Sequence, residues 1–498
     1  MERLNYRVLE ESGYSGYILK DAPEKVLQFG EGNFLRAFAD DFIDILNEKA
    51  AFNGKVAVCS PRGNKRGEEI NVQEGLYTLL LRGRNKGKMT EQMRVISCLS
   101  RCINPVTDFG ALMRCAANPD LRFIISNTTE AGIVYDPTCR LTDAPAGSFP
   151  GKLTQLLYER FKYRLPGFII LSCELVDRNG DRLRECVEQY INSWGLPEEF
   201  AAWVRQSNTF CSTLVDRIVP GYPKDDAEDI FATLGYKDKL LCTGEIFGTW
   251  VIEGDKSILE ELHADKGDVP IIVTDNIDLY KKRKVRILNG AHTSMSLAAF
   301  LAGCDTVGEC MKDPVIRDFI SRAVHEEIIP VLDDIDREDL EEFASDVADR
   351  FANPFIAHSL LSIALNSTAK WKARVMPTVI EYHDRFGTLP KLLTFSFAAY
   401  LSFYHRGREL MERGLMGTRD DMDYIINDDR DILKFFYDLR DASAHELAEA
   451  VTGNEDLWGT SLKDLDGFAK EVEEYLIKID EAGIYELMTE LVSENKEA

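Results

Sequence analysis

Three side chains in the segment KVRILNGAH (284–292) suit one piece of chemistry. Lys284, Asn289 and His292 bring an ammonium, an amide and an imidazole into a single short stretch. That set fits proton transfer at a carbinol or carbonyl: the lysine exchanges the proton and the amide holds the developing oxyanion. Asn289 and His292 are three apart and share a helix face. Lys284 and Asn289 are about 140° apart on a regular helix, so they converge only if Lys284 sits at or before the first turn. The same spacing is also that of an ordinary amphipathic helix with a solvated lysine and a locally satisfied Asn and His.

Elements that position such a site precede it. In VLQFGEGNFLRAF (26–38) an apolar run ends at Phe29 and meets Gly30-Glu31-Gly32; a helical pattern follows through Phe34, Phe38, Phe42 and Leu46. A strand, a glycine turn and a helix bring backbone close to a pyrophosphate. Phe29, Gly30, Glu31, Gly32, Asn33 and Phe34 are therefore the expected coenzyme contacts. Leu35 stands where a third glycine is usual, and a lone G-x-G is also a plain tight turn. The next strand, KVAVCS (55–60), is not followed by an acid for a ribose 2′-hydroxyl. Ser60, Pro61, Arg62, Lys65 and Arg66 occupy that loop and leave room for a 2′-phosphate, so NAD and NADP both stay open. Asn127 and Thr128, at the end of a later strand, are expected to line the nicotinamide cleft.

The first half alternates strands and helices. KVAVCS, RFIISNTT (122–129), GFIILSCEL (167–175) and DVPIIVTDN (268–276) read as strands; GKLTQLLYERF (151–161) and RECVEQYINSW (184–194) read as helices. That order predicts a mostly parallel sheet covered on both faces. From about 284 helical periods dominate, at 313–332, 336–352, 356–370, 391–413, 430–452 and 463–495, and strand-like runs nearly vanish. The fold class expected is α/β. A Rossmann-like dinucleotide-binding domain spans 1–278 and a mostly helical substrate-binding and catalytic domain spans 279–498, with a cleft between them as the natural site.

Composition restricts the function. A chain of 498 residues exceeds one core. The formal charge of -25 repels nucleic acid and anionic membranes. It also opposes an acidic substrate unless cations are placed locally. The eleven cysteines contain no C-x-x-C pair and read as reduced thiols. No metal site is expected, and neither a signal peptide nor an apolar run of membrane length is visible. A cytoplasmic enzyme, monomeric or a small homo-oligomer, is the expectation.

Six motifs occur in order: FGEGNFLRAF, SNTTEAGI (126–133), SCELVDRNGD (172–181), FCSTLVDRIVPGYP (210–223), KVRILNGAH and RFANPFIAHSLLSIALN (350–366). Together they resemble the polyol-specific long-chain dehydrogenases, the mannitol dehydrogenase family, from about residue 24 to about residue 480. The resemblance implies an NAD(H)-dependent oxidoreductase that interconverts D-tagaturonate and D-altronate in galacturonate catabolism, with Lys284 as general acid and base and no metal. It implies that Asn179 joins Asn289 in holding the substrate oxygen and that His292 orients a hydroxyl. Read alone, Asn179-Gly180 is a turn, and Asp216-Arg217 is a structural ion pair as readily as a substrate contact. Arg350 and His358 are the expected contacts of a substrate carboxylate, since an arginine fork binds both oxygens. Lys370, Lys372 and Arg374 read as a solvated helix end from which one cation can assist.

Rival readings are a relative acting on fructuronate, mannonate, mannitol or fructose, a metal-dependent uronate isomerase or epimerase, and a non-catalytic sugar-acid sensor. The isomerase needs a carboxylate–histidine ligand set that the sequence does not offer. The sensor has no reason to keep Lys284, Asn289 and His292 together.

Overall fold

The computed structural model describes residues 1–60, 65–420 and 422–493. Pro61 and Arg62 of the coenzyme loop, and the end of the 463–495 helix, lie outside the described residues. The chain divides into two compact units. One comprises Met1–Gly83 with Met89–Asp278, the other Arg84–Lys88 with the chain from Leu279 on.

The first unit is built on eight strands: β1 (Glu24–Phe29), β2 (Lys55–Cys59), β3 (Leu99–Ile103), β4 (Phe123–Ser126), β5 (Ile169–Ser172), β6 (Thr209–Asp216), β7 (Thr249–Glu253) and β8 (Ile271–Thr274). Their order across the sheet is β8-β7-β6-β5-β4-β1-β2-β3. All neighbours run parallel except β6 and β7. Side chains alternate between two cores. Val26, Val56, Val58, Phe123 and Ile125 enter one with the helix Ala39–Ala50, while Leu27, Phe29, Ala57, Cys59 and Ile124 enter the other with the helices Phe149–Lys162 and Asn179–Ser193. Burial on both faces explains why these strands read as continuous apolar runs. β3, β6 and β7 join the five strands legible in the sequence.

The order reverses between β1 and β4. Chain entering β2 moves one way and chain entering β4 the other, which leaves a crevice at the carboxyl ends of those two strands, where such sheets bind ligands. One helix differs from expectation. The pattern from Phe34 to Leu46 breaks into Asn33–Arg36 and Ala39–Ala50. The Tyr77 hydroxyl donates to Arg36 O (2.6 Å) and the Arg217 guanidinium to Ala37 O (2.6 Å), which takes those carbonyls out of the helical ladder.

The second unit is mainly helical, but not wholly. The helix expected over 391–413 ends at His405, and Gly407–Met411, Gly414–Arg419 and Met422–Ile426 form a three-stranded antiparallel sheet. Charged residues on the exposed side of its first strand concealed the alternation. The helix expected over 356–370 is likewise split, into Leu360–Ile363 and Ser367–Arg374. Asn366 between them adopts φ 53°, and the Asp428 carboxylate accepts from Thr368 N (3.1 Å) and Oγ1 (2.8 Å), so a new helix starts there. At the centre, Gly290–Leu301 is buried along its whole length and packs on Lys391–His405. No helix among the described residues is long and apolar enough to cross a membrane.

Candidate active site

In the first unit a cavity of about 430 Å³ opens at the reversal point, lined by Gly30–Gly32, Arg66, Asn127–Thr129 and the start of the helix Phe149–Lys162. Gly30 has φ +124°, and a Cβ there would stand 2.8 Å from Asn127 O, so the β1 turn closes tightly over β4 only with glycine. Gly32 differs: a Cβ built on it meets nothing within 4 Å. No neighbour among the described residues fills the space at 32, so its backbone is open to the cavity. The reversal point, the bare Gly32 and the cationic side chains of Arg66 and Lys152 fit an anionic dinucleotide.

Of the expected coenzyme contacts, Gly30, Glu31, Gly32, Asn127 and Thr128 line this cavity. The other three are not in its lining, and their side chains pack against protein. Phe29 is buried with its ring 4.9 Å from that of Phe149. Asn33 Oδ1 accepts from Arg36 (2.6 Å), and Phe34 stacks on Phe38 at 5.0 Å. Asn127 and Thr128 are held from behind. Asn127 donates to Cys173 O (2.6 Å), while the buried Glu174 carboxylate accepts from Ser126 Oγ, Thr128 N and Thr128 Oγ1, each at 3.0 Å. Burial raises the carboxyl's pKa and these donors oppose the rise.

Asn179 differs from expectation in its local structure. It opens the helix Asn179–Ser193 rather than a turn, and it is 1% exposed. Its amide donates to Glu174 O (2.9 Å) and Thr213 O (3.0 Å), and its carbonyl accepts from Gly180 N (2.9 Å) and Thr213 N (2.8 Å). Both N–H groups are spent on backbone, so none remains for a substrate oxygen. A Cβ on Gly180 would stand 2.3 Å from Cys211 C, which is why Asn is followed by glycine there. The Asp216–Arg217 pair is also not formed. Arg217 binds Asp41 (2.7 Å) in the core, while Asp216 is buried at the end of β6.

In the second unit Lys284–Asn289 winds as a π-helix, with Gly290 N–H bonded to Val285 O, and runs directly into the helix Gly290–Leu301. The chain is already helical from Asp278, so Lys284 is not at a first turn. The i→i+5 winding instead brings residues five apart towards one face. Asn289 makes no side-chain hydrogen bond among the described residues and is partly exposed. His292 follows, 8% exposed, stacked on Phe351 at 4.1 Å and edge-on to His358 at 5.1 Å. Its Nε2 is buried and has no hydrogen-bond partner among the described residues. Such an atom in a polar setting marks a place for a ligand group.

The surroundings of His292 are cationic. Burial holds its pKa well below the ordinary imidazole value, and the charges of His358, Arg350, Arg374 and Lys370 push it the same way. The ring is therefore neutral. His358 is lowered by burial and by Lys370. Lys370 and Arg374, four apart on one helix, are partly buried and both lowered, Lys370 by burial and then by Arg374. Lys370 is anchored to Ile363 O (2.8 Å) and Arg374 to Thr293 Oγ1 (3.3 Å). The expectation of a solvated helix end thus fails for these two. Lys372 lies on the same helix with its ammonium towards Gly459.

Residues 24–266 match the Mannitol dehydrogenase Rossmann domain, and residues 276–480 match the Mannitol dehydrogenase C-terminal domain. The chain belongs to the mannitol dehydrogenase family. It is 44% identical over 480 residues to the altronate oxidoreductases of Escherichia coli O7:K1 (strain IAI39 / ExPEC) and Shigella flexneri, with 94% of this chain and 97% of each relative covered. In fold it is similar to Pseudomonas fluorescens mannitol 2-dehydrogenase, solved as a ternary complex with NAD and D-mannitol, with TM-score 0.68, 21% identity, and 99% of this chain and 100% of that one covered. It is also similar to a D-sorbitol dehydrogenase, with TM-score 0.77, 22% identity and coverage of 94% and 96%. Within this family member, sequence reasoning missed Lys152 and Glu174 and underrated Lys370 and Arg374. The one available signal was the Lys370/Arg374 spacing, which places two like charges on one helix face. Among the described residues no group of three or more His, Cys, Asp or Glu is arranged to hold a metal ion.

Proposed function

We propose that this chain is a cytoplasmic oxidoreductase that interconverts D-tagaturonate and D-altronate with NAD(H), in galacturonate catabolism. The observation that carries the reading is the cation cluster of Arg350, Lys370 and Arg374 about a neutral His292, next to the π-turn bearing Lys284 and Asn289. A polyol offers such a cluster nothing to neutralise; a sugar acid offers a carboxylate. The near full-length similarity to altronate oxidoreductases supports the same substrate class.

Each residue then has a role. Gly30, Gly32, Asn127 and Thr128 hold the coenzyme, which when bound supplies or accepts the hydride. In reduction the Lys284 ammonium gives its proton to the substrate oxygen as negative charge develops there. In oxidation the neutral amine takes the hydroxyl proton. The Asn289 amide donates to the same oxygen and stabilises the alkoxide, an effect of order 10²–10³ in rate for one such donor. Neutral His292 offers Nε2 to a neighbouring hydroxyl and fixes the sugar's orientation. Asp216, at the carboxyl end of the sheet, is a further substrate contact. No metal is required, because lysine and amide together do what a Lewis acid does at the oxygen.

The deciding experiment is a matrix of initial rates: NADH and NADPH against tagaturonate, fructuronate and fructose. Highest kcat/KM with tagaturonate and NADH is expected. Preference for fructuronate or fructose assigns a different family member's reaction, and turnover without nicotinamide refutes the class.

A further inference from the structure

The glycine turn of the first unit lacks its usual partner. The helix after it is four residues long and breaks at Ala37–Phe38. One turn of peptide dipoles gives little charge to set against a diphosphate. The third glycine of the fingerprint is absent as well, with Leu35 in its place.

Compensation is visible in the lining of the same cavity. Lys152 lies in the first turn of the fourteen-residue helix Phe149–Lys162 and is 3% exposed. Its ammonium is fixed by Gly147 O (2.9 Å) and Ser148 O (3.4 Å), and Gly147, Ser148 and Lys152 all line the cavity. Gly30, Glu31 and Gly32 of the glycine turn line that cavity too, so the lysine and the turn border one space.

We infer that Lys152 binds the coenzyme diphosphate and does the work that the truncated helix after Gly32 cannot. This rests on the coenzyme reading above. It goes beyond that reading by giving the anchoring charge to a side chain more than a hundred residues from the glycine turn.

Direct binding tests it without turnover. Calorimetric titrations with NADH, NADPH, ADP and adenosine are compared for wild type, Lys152→Met and Lys152→Arg, with thermal unfolding recorded for each. Lys152→Met is expected to weaken NADH, NADPH and ADP alike by roughly ten- to a hundredfold, as for loss of a charged hydrogen bond. Adenosine binding should stay as in wild type, and Lys152→Arg should recover most of the loss. Unchanged NADH and ADP affinity in a folded Lys152→Met protein overturns the inference. So does an equal loss for adenosine, which makes Lys152 part of the wall only, or a loss confined to NADPH, which moves it to a 2′-phosphate. If wild type binds neither NADH nor NADPH, the coenzyme reading itself falls and this inference with it.

Discussion

Lys284 and Asn289 stand at the two ends of one π-turn, which runs without a break into the buried helix Gly290–Leu301. On a regular helix their side chains diverge by about 140°. The wider winding narrows that divergence, which is the geometry that Lys284 and Asn289 need if both are to serve one oxygen. Lys284→Ala should lower kcat by roughly 10²–10⁴, the usual worth of general acid–base help, with NADH affinity unchanged. Asn289→Ala should cost about 10²–10³ in kcat. Stopped-flow single turnovers isolate the chemical step; near-normal rates in either variant remove that residue from it.

Asn179 gives the contrasting case. Its amide satisfies four backbone groups in the core of the first unit. Asn179→Ala leaves buried donors and acceptors unmatched at about 1–3 kcal/mol each, so stability should fall steeply. Folded enzyme below the melting transition should keep a kcat within a few-fold of wild type. A stable variant with a large loss in kcat would return Asn179 to the substrate oxygen.

These two asparagines show what the sequence can and cannot tell. Periodicity revealed the parallel sheet and its five most apolar strands, because burial on both faces writes continuous runs such as Val26–Phe29 and Ile169–Ser172. It did not reveal the antiparallel sheet at 407–426, whose first strand exposes Arg408 and Glu409. For Lys284, Asn289 and His292 the residue types carried the chemistry, but the π-turn that joins them leaves no mark on hydrophobic spacing. For Asn179 the motif was plain, but the four backbone hydrogen bonds of its amide leave no mark on the sequence. Lys370 and Arg374 looked solvated because charge on a helix usually is; their burial comes from the packing of three other segments.

Acid should find the second unit through His292. Burial and four surrounding cationic groups hold its folded-state pKa well below 6.5, so below that pH the unfolded chain binds a proton the native chain refuses, and stability is lost as pH falls. The slope for one such group is about 1.4 kcal/mol per pH unit. Denaturant midpoints at pH 7.5 and 5.5 should therefore differ more for wild type than for His292→Asn. His358 is shifted the same way, so part of the slope remains in the variant. Equal midpoint shifts in the two proteins would mean that His292 is not held neutral.

Chelation bears on the class of mechanism. With Lys284 exchanging the proton and Asn289 holding the oxygen, prolonged dialysis against EDTA should leave kcat and KM unchanged. Activity lost on chelation and restored by zinc or manganese would assign the oxygen's activation to a metal instead.

The remaining question is how a chain of net charge -25 holds an anion. Exposed charges more than a Debye length away, about 8 Å at physiological salt, are largely screened, so a few cations near the sugar outweigh many distant acids. Arg350 is buried, and Lys370 and Arg374 are held four residues apart despite their mutual repulsion. The carboxylate of a uronate is an anion that such a cluster can bind. Loss of a contact made equally in ground and transition states falls on KM. Arg350→Ala and Arg374→Gln should each raise KM for tagaturonate roughly ten- to a hundredfold, the worth of a charged hydrogen bond, with kcat little changed. Fructose, or any neutral ketose the enzyme accepts, should lose far less. Added salt should weaken uronate binding in wild type and less so in the variants, because there is less charge left to screen. Equal losses for charged and neutral sugars would make these cations structural and would leave the carboxylate to Lys370 or His358.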